Sequence, residues 1–142
     1  MKNFINYYGP YLGAGVKLKK MSDNYRHARV EMPLTVYNRN YVGTHFGGSI
    51  YSMVDPWYML MLIQNLGPGY IVWDKAANIR FLKPGTGTII AEFNLEQKDL
   101  DEITTHLAHF PKMDRHFKVE IKDKKTGEII ADVDKVIYIR RK

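Results

Sequence analysis

One carboxylate, Asp55, stands in an otherwise apolar run that includes Ile50, Met53, Val54, Trp57, Met59, Leu60, Met61, Leu62, Ile63 and Leu66. A lone carboxylate buried on such a run is costly unless it is paired, hydrogen-bonded or protonated. Partial desolvation would raise its pKa and suit it to act as a general base toward water, or as a direct nucleophile. The competing reading is a structural ion pair at a subunit interface. Upstream lie Asn40, Gly43, Thr44, His45, Phe46 and the pair Gly47-Gly48. If Gly47 opens a helix, its backbone N–H is an unpaired donor at the positive end of the helix dipole, suited to polarising a carbonyl. A glycine also lets a substrate approach the backbone closely. Glycines that merely turn the chain into a helix would look the same. Asn40 has an amide able to orient a water or a carbonyl, or to shape a turn. Thr44 and Ser49 serve equally well as helpers or as N-terminal caps.

These residues need an element to hold them. Gly47–Leu66 predicts a helix about 30 Å long, apolar nearly all round, which belongs inside a protein. Pro56 cannot donate to the carbonyl of Ser52, so a kink is expected beside Asp55. Before the helix, the aromatic-rich residues 1–13 suit a short packing helix or arm. Val16–Met21 and Tyr25–Leu34 alternate like half-exposed strands joined by the turn formers Ser22-Asp23-Asn24. After the helix, Tyr70–Leu82 and Thr88–Leu95 flank Pro84-Gly85-Thr86-Gly87, which predicts an antiparallel hairpin. Asp99–Phe110 has helical apolar spacing. His116–Asp123 and Glu128–Ile139 predict a second hairpin around Lys124-Lys125-Thr126-Gly127. Six strands and one buried helix argue for an α+β fold in one domain over residues 1–142, its antiparallel sheet curled around the helix.

Composition narrows the function classes. The net charge of +6 is carried by scattered residues, with clusters only at Lys17-Lys19-Lys20 and Arg140-Arg141-Lys142. Neither cluster has the aromatic interleaving of a nucleic-acid module. The absence of cysteine excludes a disulfide framework, thiolate-held metal and a cysteine nucleophile. No signal-peptide pattern opens the chain, and Asp55, Pro56, Gln64 and Asn65 make the long helix a core helix rather than a membrane span. A cytoplasmic protein without nucleic-acid or membrane partners is expected. His106 and His109 have a spacing compatible with a shared metal, but no third ligand is evident, so no metal is expected.

The order of elements, with the glycine motif before the long helix, resembles the hotdog fold, and more closely the acyl-CoA thioesterases of the phenylacetate-pathway type. That family has an asparagine, a glycine three residues on, His-Gly-Gly opening the helix, and an aspartate on its third turn. Asn40, Gly43, Gly47, Gly48 and Asp55 stand in that register. Asn78-Ile79-Arg80-Phe81-Leu82-Lys83-Pro84-Gly85 is similar to the family's third-strand ending. Two departures stand out. Phe46 occupies the position of the family histidine, with His45 one residue early, and Asp74 falls where the family often has serine or threonine.

The resemblance implies thioester hydrolysis, with Asp55 activating water, the Gly47 N–H polarising the carbonyl and Asn40 assisting. Phe46, Gly48, Ser49 and Asp74 would meet the substrate. Arg80 and Lys83 would contact CoA phosphates, unless they are simply solvated strand-end charges. The substrate would be an acyl-CoA or acyl-carrier thioester, with no cofactor beyond CoA as part of that substrate. A homodimer or dimer of dimers is implied, with Asn40 and Asp55 contributed by different chains. Phe46 favours one rival, a non-catalytic acyl-CoA or carrier-protein binding module. A second rival is a hydratase or dehydratase, for which His45 is the nearby histidine but off register.

Overall fold

The structure, a computed structural model, describes Lys2 and residues 4–142. The expected N-terminal arm falls partly on Met1 and Asn3, which lie outside the described residues. The described part of the arm is a 3-10 turn, Ile5–Tyr7, followed by the short helix α1, Gly9–Ala14. Pro10 sits in the first turn of α1, where a missing N–H is harmless, and Gly15 ends it at φ 79°.

Six strands form one antiparallel sheet: β1 Lys17–Met21, β2 His27–Met32, β3 Tyr70–Phe81, β4 Ile89–Asn94, β5 Lys112–Asp123 and β6 Ile129–Arg141. Their spatial order is β1-β2-β4-β5-β6-β3. The expected hairpins β1–β2 and β5–β6 are present. The expected β3–β4 hairpin is not. β3 pairs with β6 at the sheet edge, whereas β4 lies between β2 and β5. The Pro-Gly-rich segment after β3 is not a hairpin turn but a crossing that carries the chain to the other side of the sheet. Within the same region Gly85 and Gly87 form a seat for His45.

The expected central helix is present in two segments, α2 Gly47–Ser52 and α3 Trp57–Leu66, interrupted at Met53–Pro56. Pro56 marks the break for the reason the sequence supplies: it has no N–H for the helical ladder. The apolar faces of both segments lie against the sheet. Ile50, Met53, Val54, Trp57, Met61 and Leu62 are buried with Val30, Met32, Ile89, Phe93, Ile121 and Ile137. Tyr58 stacks on Phe117, with ring centroids 4.3 Å apart, and meets Phe93 edge-on. Each such buried side chain stabilises the fold by roughly 1.5–3 kcal/mol relative to exposure. Helix α4, Gln97–His109, is closed at its start by a reciprocal Glu96/Asp99 capping box. Arg115 ties α4 to β5 through Asp99 at 2.7 Å and Glu102 at 2.6 Å. No helix among the described residues is long and apolar enough to cross a membrane.

One irregularity bears directly on the site. The β3–β6 register slips between Asp74 and Ala76, leaving Lys75 as a bulge residue. Asp74 pairs with Ile137 before the slip, and Ala77 pairs with Lys135 after it. Ile137 and Lys135 both belong to the inward row of β6, so the bulge brings Asp74 onto the inward face beside Lys135.

Candidate active site

The polar residues of the glycine motif separate into two groups. The first lies in the loop before α2. Asn40 Oδ1 accepts the N–H groups of Val42 and Thr44, each at 3.1 Å, while its Nδ2 donates to the Thr44 hydroxyl at 2.9 Å and more distantly to the His45 carbonyl. Its amide is thus engaged in shaping its own loop. Gly43 has φ 86°, a conformation that favours glycine and closes the turn. A cleft of about 360 Å³ opens here, lined by Asn40, Thr44, Gly47, Ile50, Phe81 and Lys83 among others. No side chain caps α2, so the amides of its first turn point outward as uncommitted donors. The Phe81 ring lies over Gly47, where an added Cβ would sit 3.0 Å from it. Phe46, at the N-cap, is exposed, with its ring over Gly48; Ser49 is half-buried.

His45 also lines this cleft, on its inner side. It is buried, and its Nε2 lies 2.7 Å from the Gly87 carbonyl. Burial holds the imidazole below the ordinary histidine value, with the Gly87 carbonyl acting in the opposite sense. The ring is therefore neutral near pH 7, with Nε2–H donating to Gly87. Its buried Nδ1 has no partner among the described residues.

The second group gathers at the helix break. Sequence reasoning placed a desolvated carboxylate there; in the single chain the Asp55 side chain is 53% exposed. The buried charge belongs instead to Lys135 of β6, whose side chain is fully buried. Its Nζ lies 2.8 Å from Asp74 Oδ1, donates to the Asp55 carbonyl at 2.8 Å and to the Tyr51 hydroxyl at 3.1 Å, and stands 3.4 Å from Asp55 Oδ1. Tyr51 donates in turn to Asp55 Oδ1 at 3.3 Å. The ammonium also satisfies a carbonyl set free by the break. Burial pulls Lys135 downward, but Asp74 and Tyr51 outweigh it and hold the ammonium above the ordinary lysine value. Burial pushes the Asp74 carboxyl and the Tyr51 phenol up, against the pull of Lys135.

Lys135 and Tyr51 were missed in the sequence, although Lys135 had a signal. It interrupts the inward row Val133, Ile137, Ile139 of an alternating strand. The remaining predicted residues lie elsewhere. Arg80, on exposed β3, makes a two-pronged ion pair with Asp132, its direct cross-strand partner. Lys83 pairs with Glu128 at 2.9 Å. Both cations are thus matched within the chain. His106 stacks on Phe110 in the last turn of α4.

A family model described as a domain of unknown function (DUF4442) matches residues 1–139. The chain belongs to the DUF4442 family. Solved structures similar to this DUF4442 chain include a Pseudomonas aeruginosa protein described as a probable thioesterase. It is 17% identical, with 99% of this chain and 93% of that one covered and a TM-score of 0.84. A protein of unknown function from Chlorobaculum tepidum is 18% identical over 99% and 92% of the two chains, with a TM-score of 0.76. A thioesterase from Haemophilus influenzae is 12% identical over 98% and 87%, with a TM-score of 0.71. At these identities the likeness establishes the fold, which is the hotdog fold of those thioesterases. No curated protein matches the chain.

Proposed function

We propose that this DUF4442 chain is a thioester hydrolase acting on acyl-CoA or acyl-carrier thioesters, with Asp55 activating the attacking water. The observation that carries this reading is the Asp55 carboxylate at the helix break, held through Oδ1 by Tyr51 and Lys135 while its side chain is open to solvent. A carboxylate fixed through one oxygen keeps the lone pairs of the other for a water proton. Gly47 and Tyr51 lie one turn apart on α2, and Asp55 follows in the break. The uncapped Gly47 N–H suits the oxygen on which negative charge develops.

Along α2, with a rise of 1.5 Å per residue, Gly47 lies about 8 Å from Ser52, and Asp55 follows in the break. That is too far for both to flank one carbonyl, which needs each within about 3 Å. The reading therefore pairs Gly47 of one chain with Asp55 of a second copy, in a homodimer or dimer of dimers. The sheet edges support this. β1 is short and carries Lys17, Lys19 and Lys20, features that discourage pairing. β3 is twelve residues long and exposes Trp73, Ala76, Ala77 and Phe81.

In the proposed reaction, water attacks the thioester carbonyl carbon as its proton passes to Asp55, and the carbonyl oxygen takes the negative charge against Gly47 N–H. Collapse of the tetrahedral intermediate breaks the carbon–sulfur bond. The thiolate recovers a proton from Asp55, leaving a carboxylic acid and a free thiol. Asn40 contributes by shaping the loop that presents Gly47, and Ile50, Phe46 and Phe81 supply apolar surface for the acyl group. The exposed phenyl ring of Phe46, where the resembling family has histidine, favours a second reading as a non-catalytic acyl-thioester binder.

Thiol release from short, medium, long and aryl acyl-CoAs tests the choice. Turnover of any of them supports hydrolysis. Tight binding without turnover across the panel gives the protein to the binding-module reading.

A further inference from the structure

We propose that Lys135 is the positioning residue for Asp55, and that Asp74 is the counter-ion of Lys135 rather than a contact to substrate. The inference rests on the reading of Asp55 as the base, and it goes beyond that reading by naming what holds the base and from where.

Four separate elements meet at this ammonium: Tyr51 from α2, Asp55 from the break, Asp74 from β3 and Lys135 from β6. An ammonium has three donors and no acceptor. They reach the Asp55 carbonyl at 2.8 Å, the Tyr51 hydroxyl at 3.1 Å and, at greater length, Asp55 Oδ1 at 3.4 Å. Asp74 Oδ1, 2.8 Å from Nζ, is its charge partner without hydrogen-bond geometry, and Tyr51 also donates to Asp55 Oδ1 at 3.3 Å. Lys135 thus grips Asp55 twice, through the main chain and through charge, and both grips leave Oδ2 free.

A fully buried ammonium persists only with a matching anion. The two available carboxylates are unequal: Asp74 is 22% exposed and Asp55 is 53% exposed. The more buried one lies closer to Nζ, and the Lys75 bulge is what brings it inward. This division leaves Asp74 to balance the charge and Asp55 to face solvent.

Trp57 provides a reporter on the break itself. Its buried indole N–H donates to the Met53 carbonyl at 2.9 Å, spanning the interrupted segment. Exchange of that proton, followed by nuclear magnetic resonance in a Trp73→Phe background, measures how firmly the break is held. Lys135→Met is expected to speed the exchange by about tenfold or more. Lys135→Arg restores most of the protection. In thioester turnover, Lys135→Met lowers kcat by about 10²-fold, the scale of a displaced catalytic group, with KM unchanged. Lys135→Arg recovers part of kcat. Asp74→Asn leaves KM unchanged.

Wild-type exchange together with wild-type kcat in folded Lys135→Met overturns the role of Lys135. A raised KM at constant kcat in Asp74→Asn overturns the counter-ion assignment. Should Lys135→Met not fold, Asp74→Asn decides through Trp57: faster exchange supports the cluster and wild-type exchange refutes it. If wild-type protein hydrolyses no thioester, the proposed function fails, and indole exchange alone decides whether Lys135 holds Asp55 at the break.

Discussion

The loop before α2 and the break between α2 and α3 are both rich in polar groups, but they use them in opposite ways. In the loop, Asn40 and Thr44 bond to each other and to nearby backbone, and His45 docks on Gly87. Beyond the buried Nδ1 of His45, the free capacity left there is in the amides that open α2. At the break, Tyr51 and Lys135 converge on Asp55, with Asp74 paired to Lys135, and the Asp55 carboxylate still faces solvent. A polar side chain in a motif can therefore be spent on architecture in one place and left open to solvent in another. What separates the two cases is where its donors and acceptors go.

The comparison breaks most visibly if the site does not need a second chain. Ala76→Lys, which charges the exposed β3 edge opposite the outward-facing Val136, is expected to give a monomer and to lower turnover by at least about 10²-fold through loss of the paired groups. Sedimentation combined with thiol release checks it. A monomeric variant with full turnover would remove the shared site.

The loop is predicted to matter for stability more than for chemistry. Gly85→Ala puts a Cβ 2.8 Å from Cδ2 of the buried His45 ring, which has no room to swing aside. Denaturant titration should show a loss of roughly 1–3 kcal/mol. Asn40→Ala leaves the loop amides of Val42 and Thr44 without their acceptor, at about 1–2 kcal/mol. Its kcat should fall less than tenfold; a larger fall at matched folded concentration would return Asn40 to the chemistry.

The smallest effect concerns pH. His45 is held below the ordinary value of 6.5 in the folded state, so the unfolded chain takes up its proton first as pH falls. Stability should decline as pH drops from about 6.5 toward the folded value. Melting curves of His45→Gln should lack this part of the decline. Equal pH dependence in both proteins would contradict the neutral, docked imidazole.

The sequence made much of this legible because local chemistry decided it. Alternation marked the strands, Ser22-Asp23-Asn24 and Lys124-Lys125-Thr126-Gly127 marked two hairpins, and Pro56 marked the break. The β3–β4 hairpin failed because Pro84-Gly85-Thr86-Gly87 has the composition of a tight turn. Its actual task, seating His45 on the way to a distant strand, depends on contacts far away in sequence. The apolar run around Asp55 predicts partial desolvation with a kink at Pro56; the kink is a full interruption, and it leaves the Asp55 side chain 53% exposed in the single chain. Lys135 was readable from the inward row of β6. Its pairing with Asp74 was not, because the Lys75 bulge that aligns them leaves no pattern in one strand alone.

The most direct test is thiol release by wild-type protein and Asp55→Asn at matched folded concentration, with binding of a non-hydrolysable acyl-CoA analogue measured in parallel. The predicted result is a fall in kcat of about 10²- to 10⁴-fold, the range of a lost general base, with binding retained. Turnover by Asp55→Asn at the wild-type rate would contradict the account.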